Sequence, residues 1–222
     1  ALFLTRDPGR KGMQPYGVSG DAAAAGGVAS GGGVAVTGSF LRDRLFWIMS
    51  LTFGLWWFAG AIIYVHIAPF VIEKGLESVG AATIVALFGA GNCIGRIAMG
   101  IMCDRIGAVP TYRWSIGMSA TIMLAFAFVE EATNLYLLSV VLGVFVGGAS
   151  TQISTVSVAL FGTASGGALI GAVLALAGIV GAGGPVLSGA IFDASKSYAP
   201  AFHVGAAVFL LSLLLSITLK RR

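Results

Sequence analysis

The chain has 222 residues, of which 57 % are apolar and only 10 % charged, with a mean hydropathy of +0.95. Thirteen Lys and Arg against nine Asp and Glu give a net charge of +4. A soluble domain is about a quarter charged, so this composition argues for an integral membrane protein and against a soluble enzyme, a nucleic-acid reader or a secreted disulfide scaffold.

Ala1 to Leu4 read as the end of an apolar segment, and Arg6-Asp-Pro-Gly-Arg10-Lys11 follows as a charged stretch. Residues 17–38 are almost entirely Gly, Ala, Ser and Val, too short of large side chains to offset their ordering entropy, so a flexible loop is expected up to residue 44. The expected all-α architecture begins there. A helix needs about 20 apolar residues to cross the hydrocarbon. No Asp, Glu, Lys or Arg occurs from Leu45 to Ile72, which gives a first span over 45–72. Trp47, Trp56 and Trp57 in it read as lipid-facing or interfacial anchors. His66 lies in its outer part, followed by Pro69, where it is satisfied by an interfacial carbonyl or titrates and carries a coupled proton.

The second span is 76–102 and holds Arg96, about six residues and 9 Å from its inner end. Asn92 and Gly89 share a helix face with it. A charge inside lipid is a functional candidate, and a guanidinium can grip a carboxylate through two parallel hydrogen bonds. The plainer alternative is an arginine that snorkels to the interface. Cys93 and Cys103, ten residues apart, suggest neither a metal pair nor a disulfide.

The third span is 106–129. From Ala132 to Phe192 there are 61 residues without a formal charge, too many for one crossing. The Gly/Ser cluster over 162–167 divides them into spans at 134–160 and 168–192. Ser150-Thr-Gln152-Ile-Ser-Thr-Val-Ser157 places hydroxyls and the Gln152 amide in the inner half of the fourth span, bonded back to their own helix or lining a polar cavity. Gly184-Pro185 in the fifth span is an expected bend, because Pro185 cannot donate to the helix ladder. The sixth span is 199–219, with His203 in an aromatic interfacial belt. The pairs Gly91/Gly95, Gly143/Gly147 and Gly167/Gly171, each four apart, are expected to let helices approach closely.

Six spans put both ends on one side. With the N-terminus inside, eleven Lys and Arg lie inside and two, Lys74 and Lys196, outside, a strong positive-inside bias. Both ends are therefore expected in the cytoplasm. No nucleophile–base pair, metal-ligand spacing or phosphate-binding glycine loop occurs, so neither an enzyme nor a cofactor or metal is expected.

Between spans two and three the sequence reads Gly100-Ile-Met-Cys-Asp104-Arg105-Ile-Gly107. It resembles the loop signature of the major facilitator superfamily, G-x-x-x-D-R-x-G, although Ala108 and Val109 stand where the family has basic residues. Further stretches resemble the oxalate/formate antiporter and monocarboxylate porter branch: Phe3 to Gly17, Val65-His66-Ile-Ala-Pro69-Phe, Gly95-Arg96, and Gly184-Pro185-Val-Leu-Ser-Gly189 through Tyr198. In order, these cover nearly all of the chain. The resemblance implies six transmembrane helices forming one half of a major-facilitator bundle, with the N-terminal six-helix half as partner, in a plasma or inner membrane.

The resemblance further implies a secondary transporter of small organic anions, with Arg96 holding the carboxylate, Asn92, His66 and Gln152 around it, and Asp104 and Arg105 stabilising one gate state. Relatives carry an acidic residue where Asn92 stands. The fifth span has no basic residue, which favours a monoanion over oxalate. Two alternatives remain: a superfamily transporter of sugar, nitrate or drugs, and a six-span interaction subunit without transport.

Overall fold

The computed structural model describes residues 38–162 and 166–219. Most of the expected N-terminal loop, part of the 162–167 break and Lys220 to Arg222 lie outside these. A 3-10 turn at Gly38–Arg42 leads into α1 (Arg44–Glu73), whose first turn is capped by the Asp43 carboxylate accepting the Leu45 N–H at 2.8 Å. The helix stops at Lys74-Gly75, where Gly75 takes φ +93°. α2 (Ser78–Ile106), α3 (Ala108–Phe128), α4 (Ala132–Phe161), α5 (Gly166–Gly181), α6 (Gly183–Ser195) and α7 (Ala199–Ile217) follow. Among the described residues there is no strand.

α1, α2, α4, the α5–α6 pair and α7 are each long and apolar enough to cross a membrane. α3, at 21 residues, is the remaining long helix and falls short of the apolarity of these spans, carrying Arg113, Thr111, Ser115 and Ser119. The architecture is that of an all-α, multi-pass integral membrane protein.

Two expected boundaries shift. The second span runs on to Ile106, so the Gly100–Gly107 signature is no loop: residues 100–106 are helical, and Gly107 alone, at φ +89°, turns the chain into α3. The fifth span divides into α5 and α6 around Ala182, which keeps helical angles. Three residues on, Pro185 has no N–H to offer the Gly181 carbonyl, and the ladder breaks there for that reason.

α1 is the central post. It packs on α5, α6 and α7, while α4 bridges α2 and α3, and α3 also packs on α7. Phe70 of α1, Phe126 of α3 and Phe202 of α7 form an aromatic stack, with 4.2 Å between the Phe70 and Phe202 centroids. Trp56 is part of this core at 5 % exposure, contrary to its expected place at the lipid interface, whereas Trp47 and Trp57 are exposed.

The glycine pairs divide. A Cβ on Gly91 or Gly95 would overlap the Val140 or Val144 carbonyl of α4, and one on Gly143 or Gly147 would overlap the Phe88 or Asn92 backbone of α2. These two pairs therefore set a backbone-to-backbone crossing of α2 and α4. Gly167 and Gly171 meet nothing within 4 Å and do not mediate such a contact. The close approach of α5 and α6 to α1 falls instead at Gly181, against Trp57, and at Gly184, against the Phe58 carbonyl.

Residue side chains also tie off helix ends. Lys74 Nζ donates to the Ala127 and Val129 carbonyls at the end of α3, at 3.0 and 2.7 Å. The Glu73 carboxylate accepts the Tyr198 N–H at 2.7 Å, at the start of α7. Arg113 donates to the Ser216 and Leu219 carbonyls at the end of α7, at 2.8 and 3.1 Å. Each charge has the sign that its helix end favours.

Candidate functional site

The α2–α4 crossing fixes the site. Gly147 admits Asn92 against α4, leaving that side chain 7 % exposed. A buried amide needs partners, and Asn92 has two. Its Nδ2 donates to the Tyr64 hydroxyl of α1 at 2.7 Å, and its Oδ1 accepts from Arg96 Nε at 3.1 Å. Tyr64 is held in turn by an edge-on contact with Phe88, centroids 5.2 Å apart. One chain of hydrogen bonds thus runs Tyr64–Asn92–Arg96 between two helices.

Arg96 itself is exposed. α2 continues ten residues beyond it to Ile106, so Arg96 lies about 15 Å from the helix end, inside a 29-residue helix that is longer than the hydrocarbon is thick. Asn92 occupies the Nε edge of the guanidinium, and the edge formed by its two terminal nitrogens meets no partner among the described residues. Residues 78–103 contain no Asp or Glu. Gly89 and Gly100, flanking Arg96 along the helix, leave open space where a Cβ would stand. The arrangement is a braced cation at membrane depth, open on the edge that suits a planar anion.

The other expected residues lie elsewhere. His66 sits on the α1–α6 contact: its Nε2 is 3.3 Å from the Pro185 carbonyl, and its ring lies 5.1 Å from that of Tyr198. A carbonyl partner requires Nε2 to carry the proton. Gln152 is 1 % exposed between α2 and α4, donating to the Met99 carbonyl at 3.4 Å and accepting from Thr155 at 2.9 Å. Its neighbours Ser150, Thr151 and Ser157 bond back to carbonyls of α4. The structure therefore brings Asn92 to Arg96 and does not bring Gln152 or His66 there. Asp104 and Arg105 are exposed on the last turn of α2, and Gly107 is the pivot after it. Gly184 and Pro185 lie at the start of α6, against α1. The His203 ring lies 5.0 Å from that of Phe128, tilted by 52°.

Tyr64 is the residue that sequence reading missed. A signal existed: it is a phenol nine residues before the end of α1, about 14 Å from that end, too deep for an interfacial belt.

Comparison with known proteins agrees with this architecture. The chain is 26 % identical to mouse monocarboxylate transporter 11 over 213 residues, covering 89 % of this chain and 46 % of the relative. It is 26 % identical to human monocarboxylate transporter 12 over 145 residues, covering 63 % of this chain and 28 % of that protein. The chain thus spans less than half the length of these curated relatives. Its fold matches a crystal structure of the Escherichia coli fucose:proton symporter FucP with a TM-score of 0.72 at 14 % identity, covering 86 % of this chain and 46 % of that one. The sequence profile of the Major Facilitator Superfamily matches residues 78–222, well over half of the chain, and the chain belongs to that superfamily.

Proposed function

We propose that this chain forms the anion-gripping part of a secondary transporter for small organic monoanions, with carboxylates as the substrate class. The observation that carries this reading is Arg96, held by Asn92 on one edge, open on the other, and without a carboxylate partner on its own helix. A single fixed cation in a low-dielectric setting matches a single negative charge, and a second charge on the ligand would stay unpaired. The monocarboxylate transporters among the relatives support the same substrate class.

Arg96 binds the carboxylate, and Asn92, oriented by Tyr64, fixes the guanidinium plane. Transport proceeds by alternating access: this helical half rocks against an N-terminal six-helix half around a site near the membrane midplane. The Gly184-Pro185 break, tied to α1 through His66, lets α6 move separately from α5. Asp104 and Arg105, beside the Gly107 pivot, steady one end state. Both chain ends face the cytoplasm, as the eleven-to-two distribution of Lys and Arg favours.

The test is uptake of a labelled monocarboxylate into proteoliposomes holding the natural full-length protein that carries this sequence. Arg96→Ala is expected to abolish uptake, and Arg96→Lys to retain a small part of it, since an ammonium cannot grip two oxygens in a plane. Wild-type uptake by Arg96→Ala refutes the assignment.

A further inference from the structure

A second site stands apart from the Arg96 face. The antiparallel helices α3 and α7 border an open cleft of about 540 Å³ whose lining follows α3 from Pro110 to Thr121. Arg113, Trp114, Gly117 and Thr121 line it from α3 and Leu210 and Leu213 from α7, with Arg113 at the C-terminal end of α7. None of these residues belongs to the Tyr64–Asn92–Arg96 chain. We propose that this cleft binds one anionic phospholipid of the leaflet at the inner end of α3, its acyl chain lying in the cleft and its phosphate on Arg113.

Three observations select this occupant. The first is direction and lining. A cleft parallel to membrane-crossing helices has the orientation of an acyl chain, and its floor is apolar in effect, because the Thr121 hydroxyl is bonded back to the Gly117 carbonyl at 3.0 Å. The neighbouring outer faces carry Leu124 and Phe128 on α3 and Leu211 and Leu214 on α7, all exposed and apolar, as a lipid-facing surface requires.

The second is charge. Arg113 lies five residues into α3, about 7.5 Å from its start, at the level of a headgroup rather than of the hydrocarbon centre. Its Nε and one terminal nitrogen cap α7, whereas its other terminal nitrogen has no partner among the described residues. A phosphate oxygen suits that remaining pair of N–H groups. α3 contains no Asp or Glu to compete for it. A basic pocket between helices on the cytoplasmic side is the setting in which anionic headgroups are recognised.

The third is Trp114, 56 % exposed beside the arginine. An indole at this level is a headgroup-region anchor and lines one side of the entrance.

The experiment is native mass spectrometry of the natural full-length protein carrying this sequence, released from detergent after incubation with equal amounts of phosphatidylglycerol and phosphatidylcholine. The wild-type protein is expected to retain one phosphatidylglycerol in preference to phosphatidylcholine by about fivefold, because the choline cation offsets the phosphate charge that faces Arg113 whereas the glycerol headgroup leaves it net negative. Arg113→Gln is expected to remove the preference. Gly117→Leu, which fills the cleft floor and leaves every Arg113 bond in place, is expected to remove the retained lipid altogether. If Arg113→Gln loosens the end of α7, Gly117→Leu still decides. Equal retention of the two lipids by the wild-type protein, or undiminished phosphatidylglycerol on Gly117→Leu, overturns the proposal.

Discussion

Replacing Tyr64 with Phe removes one oxygen and leaves the ring against Phe88. The hydroxyl is the acceptor for Asn92 Nδ2 at 2.7 Å, and Asn92 is 7 % exposed, so the amide loses its partner where little water can replace it. A buried polar group left unpaired costs about 1–3 kcal/mol. Two responses follow from the geometry. If Asn92 keeps its place, the cost falls on folding, and the melting temperature in detergent drops. If Asn92 rotates to find another acceptor, its Oδ1 leaves Arg96 Nε, the guanidinium loses its brace, and the cost falls on substrate binding. The Arg96 contact at 3.1 Å is the only one holding that edge among the described residues, so the second response is expected to dominate. At 1.4 kcal/mol per tenfold, the loss of affinity is then between about fivefold and a hundredfold. The assay is monocarboxylate uptake across a range of concentrations, alongside thermal unfolding of the same preparation. A raised KM with a modest fall in stability fits the brace. A fall in stability with KM unchanged refutes it, because Tyr64 would then support only the packing of α1 on α2.

Gly95→Ala places a methyl group on the Val144 carbonyl and should destabilise the α2–α4 crossing by about 1–3 kcal/mol, while Gly171→Ala, with nothing within 4 Å, should be neutral or stabilising; thermal unfolding of both variants checks the contrast. Lys74→Met removes the donors to Ala127 and Val129 and should cost about 1 kcal/mol, read as faster hydrogen exchange at the end of α3; unchanged exchange there would show that the cap carries no weight. Cys93 is exposed three residues before Arg96, so a water-soluble maleimide should modify it and a monocarboxylate should slow that reaction; modification only by lipid-soluble reagents would place this face in lipid and sink the site.

The spans were legible because charge is expensive in hydrocarbon: each charge-free run became a helix, and the longest one had to be divided. What the runs could not give was the exact turn. The cost of charge alone does not distinguish a helix that stops at Met102 from one that continues to Ile106, since Cys103, Asp104 and Arg105 are all acceptable in a last turn. The glycine at 107, with its positive φ, marks the stop. Arg96 was legible as a charge inside a span, and Asn92 as its neighbour one turn away, since helical spacing carries both. Tyr64 lies on another helix, and its pairing depends on where α1 crosses α2, which no local pattern encodes. Gln152 misled for the same reason in reverse. A polar side chain in an apolar span suggests a cavity, but Gly147 and Gly148 draw α4 so close to α2 that the amide is enclosed and spends its bonds on Met99 and Thr155.

The exposure of Arg96 constrains what can cover it. A guanidinium inside a membrane-crossing helix faces hydrocarbon only at a cost, so the α2 face that bears it is expected to meet protein or water. Against protein alone, the open edge would call for a fixed carboxylate, and the Asn92–Tyr64 brace would be superfluous, because an ion pair orients its own arginine. The brace makes sense where the partner comes and goes. A neutral amide holds the guanidinium plane while the site is empty and does not compete for its charge, and an acid in the place of Asn92 would do both jobs at once. The residue at that one position therefore separates two designs, an arginine shared between an internal carboxylate and the substrate, and an arginine reserved for the substrate. On the proposed reading of Arg96, this chain has the second. Asn92→Asp should convert it toward the first, weakening anion affinity through the negative charge added beside Arg96. Affinity that is unchanged by the substitution would show that Asn92 does not set the charge seen by the bound anion.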